Sequence, residues 1–122
     1  MEGDFMSIYD EIGGADAVNA AVDIFYDKVL ADPTLKPFFE TVEMDGQSRK
    51  QKAFFTTLFK GDSAGADAYM RKAHTGMDIS DAQFGAVAGH LNATLEQLNV
   101  PQHLTDQIMG AAAGLQNAVQ NR

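Results

Sequence analysis

Residues 16–31, DAVNAAVDIFYDKVLA, carry a helical pattern of apolar residues. Val18, Val22, Phe25 and Val29 recur at steps of four, three and four residues. This spacing places all four side chains on one face of an α-helix. The stripe is typical of a helix that packs against a hydrophobic core, so we expect the chain to be organised around this segment.

Helical periodicity continues on the C-terminal side of this segment. The expected elements are, in order, a short helix from Pro33 to about Phe39, a helix over residues 45–60 with Asp45 as N-cap, a loop from Gly61 to Gly65, and a short helical turn over residues 67–75.

The expected second half has a helix opened by the capping box of Ser80 and Gln83, with the inward stripe Phe84, Val87, Leu91, Leu95 and Leu98, and a last helix from about Pro101 with the stripe Leu104, Ile108, Ala111, Leu115 and Val119. No segment alternates as a strand does. The predicted fold class is therefore all-α, with about five substantial helices plus short ones.

The composition limits the classes of function. A chain of 122 residues is expected to form a single domain over residues 1–122. Its acidic start, MEGDFMSIYDEIGG, lacks the features of a secretory signal, and no apolar run is long enough to cross a bilayer, so we expect a cytoplasmic protein without a membrane partner. The formal net charge of −8 disfavours nucleic acid. Because the chain has no cysteine, histidine is the remaining soft metal ligand.

The second long helix carries amides where its apolar face should continue. Phe54, Phe55 and Leu58 mark the inner face, and helical steps backward from them reach Gln51 and Gln47. A buried amide without a partner costs about 1–3 kcal/mol. The two glutamines therefore indicate either an exposed helix start or a polar pocket.

Tyr26 lies on the flank of the apolar stripe of the first long helix. A buried tyrosine needs a hydrogen-bond partner for its hydroxyl group. Such a residue is typically found at the boundary of a core. Together with the inward amides of Gln47 and Gln51, however, it favours the polar pocket.

Among the three histidines, His74 has the most unusual setting. It ends the short helical turn, one turn after Met70, between two loops that contain glycine. A neutral imidazole on such an element suits the axial position of a haem iron, whereas the alternative is an ordinary surface histidine. His90 and His103 have the settings of surface or satisfied core residues.

Four segments carry a family resemblance through their order and separations. They are SIYDEIGG at residues 7–14, VDIFYDKVL at residues 22–30, LKPFFETVEMDGQSRKQKAFF at residues 35–55, and YMRKAH at residues 69–74. Together they resemble the group I truncated haemoglobins over nearly the whole chain. The resemblance implies a truncated globin, a two-over-two helical sandwich that encloses haem, in which the segment before the proximal histidine is reduced to a turn.

The resemblance also implies a role for each matching residue. His74 would ligate the iron, and Tyr26, Gln47 and Gln51 would line the side where the gas binds and reacts. The implied haem contacts are Phe39, Phe54, Met70, Lys50 and Phe55, and Phe55 falls where some relatives gate a tunnel to the iron.

The implied function is binding of oxygen, nitric oxide and carbon monoxide at high affinity. Hydrogen bonds from Tyr26 and from Gln51 or Gln47 would slow the dissociation of oxygen. The preferred reaction is nitric oxide dioxygenation, which needs an electron-donating reductase. We expect a monomer.

Two positions depart from relatives. Lys50 stands where some relatives carry a histidine that binds iron, so it would either extend to a haem propionate or lose its proton at alkaline pH and ligate ferric iron. The chain has no histidine after His103, and Asn117 stands near the position where some relatives bond haem covalently. We therefore expect noncovalent haem b.

Two alternative functions remain open at this point. The first keeps the fold and the haem but makes the protein a six-coordinate sensor or an electron-transfer protein, with Lys50 or water as sixth ligand. The second is a haem-free helical interaction domain in which His74 lies on the surface.

Overall fold

The computed structural model describes residues 7–39 and 43–121, and all regular structure within these ranges is helical. The elements are α1 (Ile8–Ile12), α2 (Gly14–Leu30), a 3₁₀ helix (Lys36–Phe39), α3 (Met44–Phe59), α4 (Ser63–Ala73), α5 (Asp81–Gln97), α6 (Gln102–Ala113) and α7 (Gln116–Gln120). In this part of the chain five helices have eleven residues or more, which confirms the all-α prediction. None of the described helices combines the length and the apolar character that a bilayer span needs. The acidic residues 1–6 lie outside the described ranges.

Helix α2 is central to the packing, because it contacts both α3 and α5. The predicted stripe of Val18, Val22, Phe25 and Val29 is buried, with each residue exposing 5% or less of its surface. Further contacts join α3 to α4, α5 to α6, and α4 to α7. The helices thereby surround a common core to which α2, α3 and α5 contribute most of the large apolar side chains.

Two helix starts show how local side chains set the element bounds. The capping box before α5 is confirmed, because Ser80 Oγ accepts the Gln83 N–H at 3.0 Å and Gln83 Oε1 accepts the Ser80 N–H at 2.9 Å. The predicted cap of α3 is wrong. Glu43 is the N-cap, and both of its carboxylate oxygens lie 3.1 Å from the Gly46 amide nitrogen. Asp45 lies instead in the first turn, where its negative charge interacts favourably with the helix dipole.

The segment before His74 is a full helix of eleven residues, which corrects the expected loop over residues 61–65 and the expected short turn over residues 67–75. The carboxylate of Asp62 accepts the amide N–H of Gly65 at 2.9 Å, so the helix starts inside the expected loop. Four of the eleven residues are alanine, the residue with the highest helix propensity. His74 therefore lies at the end of a regular helix, as its C-cap residue.

The predicted last helix is divided in two. Helix α6 ends at Ala113, and α7 begins at Gln116. Glycine has a low helix propensity, and Gly110 lies in the last turn of α6 while Gly114 is its C-cap residue. After the break, α7 packs against α4. The predicted inward residue Leu115 is still buried, with 6% exposure.

Two exposed glycines inside α5 offer a test of the helical assignment. A Cβ atom added at Gly85 or Gly89 meets no other atom within 4 Å. We expect Gly85→Ala and Gly89→Ala each to raise the free energy of unfolding by about 0.5–1 kcal/mol, because alanine loses less backbone entropy in a helix. Urea titration followed by circular dichroism measures the effect.

Gly61→Ala is the matched control, because a Cβ atom there also meets nothing within 4 Å but φ is +89°. An alanine side chain disfavours that region by about 1–2 kcal/mol. We therefore expect Gly61→Ala to destabilise the protein. Equal effects of all three substitutions would contradict the assigned backbone.

Candidate functional site

A cavity of about 480 Å³ lies between the helices. Side chains from the 3₁₀ helix and from α2 to α7 form its walls, and most of them are apolar or aromatic. The structure brings all nine residues of the sequence-based site to this one cavity. They are Tyr26, Phe39, Gln47, Lys50, Gln51, Phe54, Phe55, Met70 and His74.

His74 is the C-cap residue of α4, and its half-buried imidazole lines the cavity. The ring nitrogen Nδ1 lies 2.8 Å from the carbonyl oxygen of Met70. A carbonyl oxygen only accepts hydrogen bonds, so Nδ1 must carry the hydrogen. In the neutral ring, Nε2 then keeps its lone pair, which is the state that a metal ligand requires.

Tyr26 is nearly fully buried, with 5% exposure, and its side chain lines the same cavity. Burial raises the pKa of the Tyr26 hydroxyl to about 12, although a hydrogen bond with the Gln47 side chain lowers this pKa and the nearby Tyr69 raises it further. The hydroxyl therefore stays protonated across the physiological range. It can act as a hydrogen-bond donor toward a ligand in the cavity.

The two glutamines lie one helical turn apart inside α3, and both are half-buried in the cavity wall. This placement contradicts the alternative of an exposed helix start and favours the polar pocket. Lys50, between them in sequence, is exposed but still lines the cavity. The cavity thus has two amides in its wall and one cation where it reaches the surface.

Aromatic rings form a continuous set of contacts beside these polar groups. The Phe39 ring packs edge-on against Tyr26, with centroids 5.7 Å apart. Phe55 contacts Phe25 at 5.7 Å, and Phe54 contacts Phe55 at 6.1 Å. Since Phe39 comes from the 3₁₀ helix, these contacts join that helix to α2 and α3.

Tyr69 was missed by the sequence analysis although it stands in the quoted YMRKAH segment. Its ring stacks on Phe54 at 5.7 Å with an angle of 26° between the planes, and it lines the cavity. Burial raises the pKa of its hydroxyl. The sequence feature that could have indicated Tyr69 as a site residue is its position directly before Met70.

The second half of the chain supplies a wall that sequence reasoning assigned only to the core. Phe84, Val87 and Leu91 were predicted as an inward stripe, and all three line the cavity. Met77 and Ile79, in the segment after His74, line it as well. A core residue and a cavity residue have the same apolar pattern, so the sequence does not separate them.

The other two histidines do not line the cavity. His103 is exposed on α6. His90, which was predicted to be unremarkable, places Nε2 at 2.8 Å from a carboxylate oxygen of Asp32. Within residues 7–39 and 43–121, no group of three or more His, Asp or Glu side chains is arranged to hold a metal ion. A single imidazole in an apolar cavity is thus the metal-binding group that the site offers.

A helical fold around a largely apolar cavity with one imidazole in its wall is typical of helical proteins that bind a cofactor between their helices. The comparisons with known proteins specify this class. The family model described as "Bacterial-like globin" matches residues 7–121. The group 1 truncated haemoglobin of Tetrahymena pyriformis is 40% identical over 107 residues, which cover 88% of this chain and 85% of that protein.

Two solved structures extend the similarity to the fold. The 2/2 haemoglobin from Synechococcus sp. PCC 7002, crystallised with covalently attached haem, has a TM-score of 0.84 and 38% identity, covering 96% of this chain and all of that one. The Fe(III) form of the Tetrahymena pyriformis protein has a TM-score of 0.81 and 32% identity, covering 93% and 97% of the two chains.

The chain therefore belongs to the bacterial-like globin family and is similar to its group 1 truncated haemoglobins, which confirms the resemblance stated from the sequence. Membership implies haem-based binding of diatomic gases. The residues present fit this cofactor, because the Nε2 lone pair of His74 suits an axial position and aromatic side chains cover the cavity walls.

Proposed function

We propose that this protein binds oxygen and other diatomic gases at high affinity through a noncovalently held haem b. One observation carries the proposal: His74, with Nδ1 bound to the Met70 carbonyl, lines the same cavity as the buried Tyr26 hydroxyl. When bound, haem supplies an iron atom that takes a diatomic gas as a ligand and exchanges single electrons. The protein would supply the histidine that holds the iron, the hydrogen-bond donors and the apolar surroundings.

His74 would hold the iron through Nε2, and Phe39, Phe54 and Met70 would pack on the porphyrin. All four line the cavity, and Phe54 and Met70 expose only 7% and 6% of their surface. Phe55, with 2% exposure, would control access through the interior. These assignments place apolar groups around the cofactor, which strengthens every hydrogen bond made inside the cavity.

Tyr26 would donate its O–H to the bound gas, and Gln51 or Gln47 would donate an amide N–H. The raised pKa of Tyr26 supports this role, because the hydroxyl keeps its proton. We further propose nitric oxide dioxygenation as the reaction: one nitric oxide, one oxygen and one electron give one nitrate ion. An external reductase would supply the electron, and the donors would hold the gas in place for the second reactant.

The proposal that the haem is held noncovalently rests on the residues of the C-terminal helices. The chain has no histidine after His103, and Asn117, an exposed residue of α7, offers no nucleophile of comparable strength. One of the similar structures carries covalently attached haem. We therefore expect acid acetone to extract the haem of this protein completely.

The first test is the absorption spectrum of the purified protein with and without His74. We expect an intense Soret band that shifts with carbon monoxide, and we expect His74→Ala to lose haem during gel filtration because the axial bond is absent. Added imidazole should restore haem retention in His74→Ala, since it fills the space and replaces the ligand.

His103→Ala is the matched control, because it removes an exposed histidine that does not line the cavity. It should retain haem as the unsubstituted protein does. Retention of haem by His74→Ala with an unchanged spectrum would overturn the assignment of His74. A protein that shows no Soret band even after reconstitution with hemin would be the haem-free interaction domain.

The second test concerns the donor side of the cavity. Tyr26→Phe should raise the oxygen dissociation rate by about tenfold or more, which corresponds to about 1.4 kcal/mol for the lost hydrogen bond. The ratio of the two rates should stay constant from about pH 6 to about pH 10, because the hydroxyl with a pKa of about 12 does not ionise there. Stopped-flow mixing with carbon monoxide gives both rates.

Tyr9→Phe provides the control for this experiment. Tyr9 lies in α1, its ring lies 4.7 Å from the Lys60 ammonium group, and it does not line the cavity. Its substitution should leave the oxygen dissociation rate unchanged. An unchanged rate in Tyr26→Phe would rule out the hydrogen-bonding role of Tyr26.

A second candidate function rests on Lys50, which is exposed and yet lines the cavity. If its amine ligated the iron, the protein would be a six-coordinate sensor or electron-transfer protein. We favour an interaction of Lys50 with a haem propionate, because its exposure lets the ammonium group stay hydrated.

Spectra of the ferric protein from about pH 6 to about pH 10 separate the two roles. With Lys50 on a propionate, Lys50→Met should keep the alkaline transition that water at the iron produces. Loss of a low-spin species in Lys50→Met would instead assign the amine as sixth ligand. Ionisation of Tyr26 does not contribute to spectral changes in this pH range, because the pKa of its hydroxyl is about 12.

A further inference from the structure

Asp32 organises the corner between α2 and the 3₁₀ helix. Its Oδ1 accepts the backbone N–H of Thr34 at 2.9 Å and the hydroxyl of Thr34 at 2.8 Å. Its backbone carbonyl accepts the amides of Leu35 at 3.0 Å and Lys36 at 2.9 Å. One residue thus sets the turn that directs the chain into the 3₁₀ helix.

The second carboxylate oxygen of Asp32 ties this corner to α5. His90 Nε2 lies 2.8 Å from Asp32 Oδ2, although the two residues are 58 positions apart in sequence. The side chains expose only 26% and 18% of their surface. Because a carboxylate only accepts hydrogen bonds, Nε2 is the donor, and a bond to an ionised group is roughly twice as strong as a neutral one.

The corner carries the aromatic wall of the cavity. Leu35 is buried at 2% exposure and lines the cavity, and Phe38 and Phe39 follow it in the 3₁₀ helix. The Phe39 ring packs edge-on against Tyr26 at 5.7 Å. A displacement of the corner would therefore reach the Tyr26 ring through one direct contact.

His90, the other partner of this hydrogen bond, also lies next to a residue that lines the cavity. His90 lies in α5 directly before Leu91, which is buried at 6% exposure and lines the cavity. Thr94, fully buried one turn later, donates its hydroxyl to the His90 carbonyl at 2.8 Å. The bond between His90 and Asp32 thus joins two walls of the cavity that the chain builds from distant segments.

We propose that Asp32 and His90 form a positioning pair that holds the aromatic corner against Tyr26 and thereby fixes the direction in which the Tyr26 hydroxyl points. Neither residue lines the cavity, so the pair acts through Phe39 and Tyr26 and not on the ligand itself. The inference rests on the proposed role of Tyr26 as a donor to the bound gas. The lowered pKa of Asp32, caused first by the His90 hydrogen bond and then by Thr34, agrees with this geometry.

The experiment measures oxygen dissociation and the C–O stretching band of the carbon monoxide adduct in His90→Ala. We expect dissociation to accelerate about two- to tenfold, within the range for residues that act through packed neighbours, and we expect the C–O band to be broader than that of the unsubstituted protein or to split. His90→Gln keeps an N–H donor and should restore the rate to within about a factor of two. His103→Ala should leave both readouts unchanged.

A combination with Tyr26→Phe identifies the route of the effect. If His90 acts through the Tyr26 hydroxyl, adding His90→Ala to Tyr26→Phe should change the dissociation rate no further. A full additional acceleration in the double variant would overturn the proposal. So would a His90→Ala variant that loses thermal stability but keeps the C–O band and the dissociation rate of the unsubstituted protein.

Amide hydrogen exchange distinguishes failure of this inference from failure of the proposed function. The Leu35 and Lys36 amides donate to the Asp32 carbonyl and should exchange faster in His90→Ala than in the unsubstituted protein, whether or not haem is bound. Unchanged exchange would overturn the pair even in a protein that binds haem. A protein without any Soret band would instead refute the proposed function, while its exchange rates would still test the pair.

Discussion

The hydrogen bond from His74 Nδ1 to the Met70 carbonyl holds the imidazole that lines the cavity against the end of helix α4. The Met70 carbonyl, in the last turn of α4, accepts both the backbone N–H of His74 at 3.1 Å and the imidazole N–H of the same residue at 2.8 Å. The same bond determines which ring nitrogen keeps a lone pair. The orientation of the ring and its tautomer therefore depend on one contact, which is made to the last turn of α4. The cap at Asp62 sets where α4 begins, and so helps to place this contact.

The role proposed for Tyr26 has the opposite requirement, because a hydrogen-bond donor must keep its proton whereas His74 would offer a lone pair. Burial makes the phenolate unfavourable and holds the pKa of Tyr26 far above its ordinary value, and the hydrogen bond with Gln47 offsets only part of this effect. The packing that buries Tyr26 in the cavity wall thus also sets the protonation state of its hydroxyl. Neutral donors and acceptors in such surroundings interact more strongly than they would in water.

The sequence predicts the parts of this arrangement that depend on local periodicity. The stripe of α2, the capping box of α5 and the inward amides of α3 are visible within a few turns of helix, and the structure bears out each of them. Gly61 and Gly65 suggested a loop because glycine has a low helix propensity, but the side-chain cap of Asp62 and a run of alanines outweigh that preference. The contact between Asp32 and His90 is not predictable in this way, because it forms only when α5 packs against α2.

The distribution of charge bears on how a chain with a formal net charge of −8 would accommodate an anionic cofactor. Six of the nine Lys and Arg residues lie between residues 43 and 73, in or beside α3 and α4, whereas residues 74–121 contain none. Both helices contribute walls of the cavity. A haem carries two carboxylates, and Lys50, the basic residue of this group that lines the cavity, would lower the cost of placing those carboxylates at its edge. The net charge of the whole chain bears on its interaction with an extended polyanion, but the local potential at a site depends on where the charges lie and not on their sum.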